Sequence, residues 1–150
     1  MDINTVEYQE GIYVGYRYFD THDRDVFFPF GFGLSYTTFE FSGLDLDVKD
    51  GVVRIRATVT NTGDREGAEV VQVDVHHKNP PVDRPVRELK GFEKVHLAAG
   101  SSATVEIELD ETAFSFFHPD EHKWVTEPGT YQIQLGSSSR DIRLTGDVEL

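Results

Sequence analysis

A regular alternation of apolar and polar side chains is the feature that most constrains this chain. It is clearest at Val53, Ile55, Ala57 and Val59, which alternate with arginines and threonines. Successive side chains of a β-strand point to opposite faces, so the pattern predicts a strand with one face in the core. The pattern returns along the chain, and no stretch shows the 3.6-residue period of an amphipathic helix. An all-β protein is therefore predicted, with helices minor at best.

Turn-forming residues separate the alternating segments. Asn61-Thr62-Gly63-Asp64, Ala98-Ala99-Gly100-Ser101 and Pro128-Gly129 are typical turn sequences, and Gly91 predicts a bulge or bend within a strand. Seven strands are predicted, at residues 39–48, 53–60, 71–76, 89–97, 104–109, 131–135 and from 142 onward. This number of short strands is typical of an immunoglobulin-like or fibronectin-like β-sandwich. The fibronectin type III branch is favoured, because a chain without cysteine lacks the Cys-Trp-Cys signature of antibody domains.

Length and composition exclude several classes of protein. The 150 residues suffice for one domain with a single core. No apolar run approaches a membrane span, and the first residues do not resemble a signal peptide, which slightly favours a cytoplasmic location. The absence of cysteine excludes disulfides, thiolate metal sites and cysteine nucleophiles.

The charge balance is strongly acidic. The 27 Asp and Glu residues against 14 Lys and Arg residues give a net charge of −13. No clustered basic residues accompany it, so neither a nucleic acid nor a membrane is expected as a partner. Two explanations fit the acidity: adaptation to high salt, which suits a chain with only five lysines, and ordinary solubility.

A melting experiment separates these two explanations. The Debye length falls from about 30 Å at 0.01 M salt to about 3 Å at 1 M, so added KCl screens the repulsion between carboxylates. If the acidity is a halophilic adaptation, the melting temperature should rise with KCl over this range. A flat dependence would leave ordinary solubility as the explanation.

The first 38 residues, called the head segment here, differ from the rest. The head segment contains an aromatic stretch at residues 10–20 and a charged patch at residues 21–25, and a second aromatic stretch begins at residue 27. Together these are predicted to form a short strand followed by irregular chain. Ten aromatic residues lie in the head segment: Tyr8, Tyr13, Tyr16, Tyr18, Phe19, Phe27, Phe28, Phe30, Phe32 and Tyr36. In water they would form a large apolar patch. We therefore expect residues 30–39 to dock on the sandwich, residues 1–10 to fray, and the remaining apolar flank to support weak self-association.

Two groups in the head segment resemble ligand sites only superficially. Asp20, His22, Asp23 and Asp25 offer oxygen ligands for Ca²⁺, but their spacing fits no EF-hand loop, and a solvated turn is favoured. The stretch Gly31-Phe32-Gly33 lacks the third glycine, the preceding strand and the following helix of a phosphate-binding loop. These glycines are instead expected to bend the backbone between large aromatics.

The histidines are poor metal candidates as well. His76 and His77 are adjacent in a strand, so their side chains point to opposite faces and are expected to be ordinary strand-end residues. His118 and His122 flank a turn that contains Glu121, which makes a weak metal site conceivable but not favoured. No metal and no cofactor is therefore assigned.

No catalytic group emerges from the sequence. Glycoside hydrolysis needs two carboxyl groups about 5–9 Å apart with one of them buried, whereas Asp110-Glu111 and Asp120-Glu121 lie at turns. A second possible carbohydrate function is a platform of exposed aromatic side chains on which sugar rings stack. For the aromatics in question, packing beneath a long loop is favoured instead. The candidate residues of the platform are Phe114, Phe116, Phe117 and Trp124.

Several long motifs resemble a known family. The stretches E-G-I-Y-V-G-Y-R-Y-F-D (10–20) and F-P-F-G-F-G-L-S-Y-T-T-F (28–39) are similar to the C-terminal boundary region of family 3 glycoside hydrolases of the β-glucosidase type. Three further stretches resemble that family's fibronectin type III-like domain: V-T-N-T-G-D-R-E-G-A-E-V-V-Q-V-D-V (59–75), R-E-L-K-G-F-E-K-V-H-L-A-A-G (87–100) and E-P-G-T-Y-Q-I-Q-L-G-S-S-S-R-D-I (127–142).

The resemblance implies a domain division and a role. Residues 1–38 would be the tail of an α/β sandwich domain with its linker, and residues 39–150 the fibronectin type III-like domain. The family's nucleophilic Asp and acid/base Glu lie in domains absent here, so no catalytic residue is carried over. The implied role is structural, bracing the catalytic domains in cis or as a separate chain. Packing at that junction is expected from Tyr16, Tyr18, Phe28, Phe30 and Phe32.

Two other hypotheses remain open. One is a stand-alone module that binds carbohydrate or protein. Exposure of Trp124 would favour this hypothesis. The other is enzymatic activity of the chain itself, which the missing carboxylate pair disfavours.

Overall fold

The computed structural model describes residues 6–150, which form one short helix, nine β-strands and one 3₁₀ turn. Met1–Thr5 lie outside the described residues, and with them half of the segment predicted to fray. In chain order the elements are α1 (Tyr16–Thr21), β1 (Phe39–Lys49), β2 (Val52–Asn61), β3 (Gly67–His77), β4 (Glu88–Leu97), β5 (Ser102–Leu109), the 3₁₀ turn (Glu111–Ala113), β6 (Phe116–His118), β7 (Lys123–Val125), β8 (Thr130–Ser138) and β9 (Asp141–Glu149).

Seven of these strands form two antiparallel sheets. One sheet has the order β1-β2-β5, and the other has the order β4-β3-β8-β9. Strand β4 lies beside β5 and strand β1 lies beside β9, so the two sheets face each other along both edges. This arrangement confirms the predicted fibronectin-like β-sandwich and its seven strands.

The core lies between the sheets and follows the alternation of the sequence. In β2, Val53, Ile55, Ala57 and Val59 are all buried. The outer face of the same strand carries an ion-pair ladder, in which Arg54 contacts Glu108 at 2.6 Å and Arg56 contacts Glu106 at 2.7 Å. The three-stranded sheet therefore has one apolar face and one charged face.

The predicted irregularity at Gly91 is confirmed. Val73 pairs with Gly91 and Asp74 pairs with Leu89, so Lys90 is an extra residue and forms a bulge in β4. A Cβ at position 91 would lie 2.8 Å from the Ile107 side chain of the facing sheet. The glycine thus lets the two sheets approach closely.

Two elements differ from the sequence-based expectations. The head segment contains the helix α1 (Tyr16–Thr21) and no strand within its described residues 6–38, so the prediction of a short strand is wrong. The strands β6 and β7 form a separate hairpin that was not predicted, and they pair Phe116 with Val125 and Phe117 with Trp124. Each strand has only three residues, which is too short for an alternation to be recognised.

Candidate interdomain docking surface

Helix α1 is held on the sandwich by polar contacts that are distant in sequence. The Leu89 amide donates to the Tyr16 hydroxyl at 2.8 Å, and the Val86 amide donates to the Thr21 hydroxyl at 3.0 Å. Arg140, in the β8–β9 turn, forms an ion pair with Asp20 at 2.6 Å. These anchors, rather than local propensity, explain why an unfavourable helix of six residues forms here.

The chain after α1 is also attached to the sandwich. The Ser139 amide donates to the Phe30 carbonyl at 2.9 Å, and the Thr37 hydroxyl donates to Asn61 Oδ1 at 2.6 Å. Gly31 has a φ of 82° and lies directly over Gln72, where a Cβ would overlap the Gln72 amide. Residues 30–39 thus contact the sandwich at several points, as expected from the sequence.

The five aromatics expected at a domain junction separate into three groups. Tyr16 stacks on Phe30, with ring centroids 4.7 Å apart, and this pair belongs to the contact with the sandwich. Phe28 and Phe32 contact each other at 5.2 Å, while Tyr18 contacts His22 at 4.6 Å. The side chains of Tyr18, Phe28 and Phe32 remain exposed. Tyr16 thus packs inside the contact with the sandwich, whereas Phe30 stacks on Tyr16 and, like the other three residues, stays partly open to solvent.

The most exposed apolar side chains of the head segment were not among those five. Phe27 is 99% exposed, Tyr36 is 94% exposed and Leu34 is 90% exposed. Together with Phe28, Phe30 and Phe32 they form the docking patch, a set of six exposed apolar side chains between residues 27 and 36. The aromatic-rich composition of the head segment predicts an exposed apolar patch, but it does not predict which side chains face outward.

The surroundings of α1 are rich in charge. Glu88 forms ion pairs with Arg84 at 2.9 Å and with Arg17 at 3.3 Å, and the Lys90 Nζ lies 3.7 Å from the same carboxylate. Burial lowers the pKa of Lys90. Near the start of the head segment, Tyr13 donates to the Asp83 carboxylate at 2.5 Å, and this hydrogen bond raises the pKa of Tyr13 to about 12. Of these contacts, the Arg17–Glu88 ion pair joins α1 itself to β4, and the Tyr13–Asp83 hydrogen bond ties the chain just ahead of α1 to the sandwich.

The proposed calcium ligands in the head segment do not converge. Asp20 is buried in its ion pair with Arg140, which contradicts the solvated turn expected for it, whereas Asp23 and Asp25 are exposed. His22 packs against Tyr18. Within residues 6–150, no three acidic or histidine side chains are grouped so that they could hold a metal ion.

The other candidate residues have structural roles. His77 is buried and stacks on Tyr131 at 4.2 Å, while His76 lies on the opposite face of β3; burial lowers the pKa of both. Asp110 caps the 3₁₀ turn by accepting from the Thr112 amide at 2.9 Å. His118 accepts from the Glu121 amide at 3.4 Å. These contacts account for the local geometry without a ligand.

The candidate sugar platform is only partly exposed. Phe114 is buried in the core and Phe116 is half-buried, whereas Phe117 and Trp124 are exposed on the β6–β7 hairpin. The rings of Phe117 and Trp124 are 5.9 Å apart and nearly perpendicular. Core packing is thus confirmed for Phe114, and it is wrong for Phe117 and for Trp124, which is 68% exposed.

No helix within residues 6–150 has the length and the apolar composition that crossing a membrane would require.

Sequence relatives share nearly the whole chain. A profile of the fibronectin type III-like domain matches residues 69–139. An exo-α-(1→6)-L-arabinopyranosidase from Bifidobacterium breve is 50% identical over 147 residues, which cover 97% of this chain and 19% of that protein. A β-glucosidase from Kluyveromyces marxianus is also 50% identical, over 94% of this chain and 17% of its own length. The chain thus spans about a fifth of the length of these relatives.

Solved structures agree with the sequence relatives. The GH3 β-glucosidase of Bifidobacterium adolescentis superimposes with a TM-score of 0.91 at 47% identity, over 94% of this chain and 21% of that one. The K. marxianus β-glucosidase in complex with glucose superimposes with a TM-score of 0.92 at 48% identity, over 95% and 17% of the two chains. The chain therefore carries a fibronectin type III-like domain and matches, in sequence and in fold, about a fifth of the length of family 3 β-glucosidases.

Proposed function

We propose that the chain is a non-catalytic structural domain of a β-glucosidase-type hydrolase and that it braces the catalytic domains through the head segment. In this proposal residues 1–38 are the tail of the preceding domain and its linker, and residues 39–150 are the fibronectin type III-like domain. The partners are the catalytic domains, in cis or as a separate chain. The docking patch is the observation that carries the proposal, because six exposed apolar side chains within ten residues exceed what a solitary domain needs.

The charge distribution also favours a partner contact on the side of the molecule that carries the head segment. The outer face of the three-stranded sheet carries the Arg54–Glu108 and Arg56–Glu106 ion pairs, which remain solvated without cost. The head segment lies on the four-stranded sheet instead, where Tyr16 and Phe30 fix its position. A partner that packs on the docking patch therefore buries apolar surface and leaves the charged ladder in water.

A binding experiment tests the structural role. The probe is the K. marxianus β-glucosidase truncated so that it lacks the region matched by this chain. We expect the two to form a complex in sedimentation velocity runs, and we expect the F27S/Y36S double variant to weaken it roughly tenfold or more. Phe117→Ser, an exposed aromatic outside the head segment, is the matched control. The absence of a complex, or equal losses in both variants, would contradict the proposal.

Sedimentation of the chain alone tests the expected self-association. The docking patch is free when no catalytic domain is present, so weak self-association through it is expected. The F27S/Y36S variant should reduce this association, and a monomer at all concentrations would contradict it.

The non-catalytic part of the proposal has its own assay. The chain alone is expected to release no product from aryl β-glucosides, because the reaction needs two positioned carboxyl groups beside a sugar pocket and the resemblance puts the family's pair in other domains. Product formation that disappears when one of the chain's own carboxylates is replaced would refute this. The relatives include both a β-glucosidase and an arabinopyranosidase, so a parent's substrate is not assigned.

Exposure of Trp124 favours a second candidate function, carbohydrate binding by the β6–β7 hairpin. An exposed indole can stack on a pyranose ring, and the Glu121 carboxylate, which Lys123 contacts at 2.6 Å, could accept from sugar hydroxyls. Trp124 is the only tryptophan, so its fluorescence reports binding directly. A saturable change on titration with gluco-oligosaccharides that Phe117→Ala weakens would support this function, and an unchanged spectrum would exclude it.

A further inference from the structure

Asp74 is buried on the face of the four-stranded sheet that should face water. Its neighbours Val73 and Val75 point into the core, so the alternation of β3 directs Asp74 outward. An outward carboxylate on a sandwich is normally solvated, yet Asp74 is only 1% exposed. Something outside the sandwich must therefore cover it.

The cover is the head segment. Leu89, the Cα partner of Asp74 on β4, donates its amide proton to the Tyr16 hydroxyl of α1. On the other side, the Ser139 amide donates to the Phe30 carbonyl, and Arg140 holds Asp20 of α1. The head segment is thus fastened around Asp74, and docking of α1 removes this carboxyl from water.

The cover offers Asp74 no hydrogen bond. Neither of its carboxylate oxygens has a partner among the protein atoms of residues 6–150. A charged carboxylate in such a place carries a large desolvation penalty, which its neutral form avoids.

The groups that face Asp74 do not compensate its charge fully. They are Tyr16 and Asp20 on α1, Arg87 ahead of β4, Gln134 on β8 and His76 on β3. The Arg87 guanidinium donates to the Ser139 carbonyl, and its Nε has no partner within residues 6–150. Burial raises the pKa of Asp74 to about 6 and Asp20 adds to this, although Arg87 opposes it.

We propose that docking of the head segment is coupled to a proton on Asp74: α1 is held firmly when the Asp74 carboxyl is neutral and loosens when that carboxyl is charged. This coupling needs no ligand, because the same contacts that hold α1 on the sandwich also exclude water from Asp74. It goes beyond the bracing role, since it concerns the contact between the head segment and the sandwich within one chain.

The direction of the pH effect follows from the two protonation states. In the undocked state Asp74 is solvated and titrates near its ordinary pKa of 3.8, whereas in the docked state it titrates at about 6. Docking is therefore strongest below pH 3.8 and is progressively lost as the pH rises through 6. A difference of about two pKa units corresponds to a loss of about 100-fold in the docking equilibrium constant.

Hydrogen exchange measures this constant directly. The amides of Val86, Leu89 and Ser139 donate to head-segment atoms, so their protection reports docking. After correction for the intrinsic exchange rate, we expect their protection in the wild-type chain to fall about 100-fold between pH 4 and pH 7.5. In Asp74→Asn, an isosteric and uncharged variant, protection of the same amides should stay constant.

A matched control distinguishes Asp74 from its titrating neighbour. His76→Gln removes the other titratable side chain on this face of β3 and should leave the wild-type pH dependence at the Leu89 and Ser139 amides unchanged; Val86 is left out of this comparison because His76 hydrogen-bonds its backbone. The Ile55 amide, in the other sheet, should show no matching change. The proposal is overturned if the wild-type reporters are independent of pH, if Asp74→Asn retains the full fall, or if His76→Gln abolishes it.

Discussion

Replacing Phe114 by alanine is expected to lower the free energy of unfolding by about 3–5 kcal/mol. The Phe114 side chain is fully buried and packs edge-on against Tyr131, with the ring centroids 5.2 Å apart. Removing the ring leaves a cavity in the core, and the surrounding strands cannot collapse to fill it. Urea unfolding, monitored by far-UV circular dichroism, measures the loss.

Phe117→Ala is the matched control, since it removes the same kind of side chain three residues later in the sequence, on the β6–β7 hairpin. Phe117 is exposed, so its loss should cost less than about 1 kcal/mol. Equal destabilisation by the two substitutions would contradict the assignment of Phe114 to the core and of Phe117 to the surface.

Asn61→Ala is expected to destabilise the domain by about 2–4 kcal/mol, because it leaves several buried polar groups without partners. The Asn61 side chain is fully buried. Its Oδ1 accepts from the Thr37 hydroxyl at 2.6 Å and from the Gly63 amide at 3.1 Å. Its Nδ2 donates to the carbonyls of Arg65, at 2.7 Å, and Leu97, at 3.1 Å. One side chain thus connects the head segment, the β2–β3 turn and the end of β4.

Two controls calibrate this loss. Thr37→Val removes only the hydrogen bond to the head segment and should cost about 1 kcal/mol. Thr58→Ala, on the outward face of the same strand, should change the stability by less than about 0.5 kcal/mol. If Asn61→Ala resembled Thr58→Ala in urea unfolding, the network around Asn61 would not contribute to stability.

The sandwich could be predicted from the sequence because its signal is local. In β2 every second residue is apolar, and the structure buries those residues as the period requires. The helix α1 could not be predicted in the same way. Its anchors join Tyr16 to Leu89 and Asp20 to Arg140, which are 73 and 120 residues apart. Long-range contacts of this kind leave no periodicity in the sequence.

The aromatic richness of the head segment was predictable from the sequence, but the direction of each aromatic side chain was not. Tyr16 and Tyr18 are two residues apart, yet Tyr16 stacks on Phe30 while Tyr18 contacts His22 on the exposed side of α1. The sequence also places Asp74 in water, since it lacks any signal that the head segment will cover it. Alternation assigns a residue to a face of a sheet, but not the neighbour that packs against that face.

Limited proteolysis tests the central claim, that the head segment is a docked part of this domain and presents the docking patch to a partner. Chymotrypsin is expected to cut first before about residue 12, and to spare residues 30–39 because their hydrogen bonds to Ser139 and Asn61 resist local unfolding. Mass spectrometry of the first products locates the cuts.

A pair of glycine variants sharpens this measurement. Gly31→Ala should expose residues 30–39 to the protease, because the added Cβ collides with Gln72 and the φ of 82° disfavours alanine. At Gly33 a Cβ would meet no described atom within 4 Å, so Gly33→Ala should be cut like the wild-type chain. Rapid cleavage of the wild-type chain at Phe30 or Phe32 would contradict the docked arrangement and show that the head segment is a free tether.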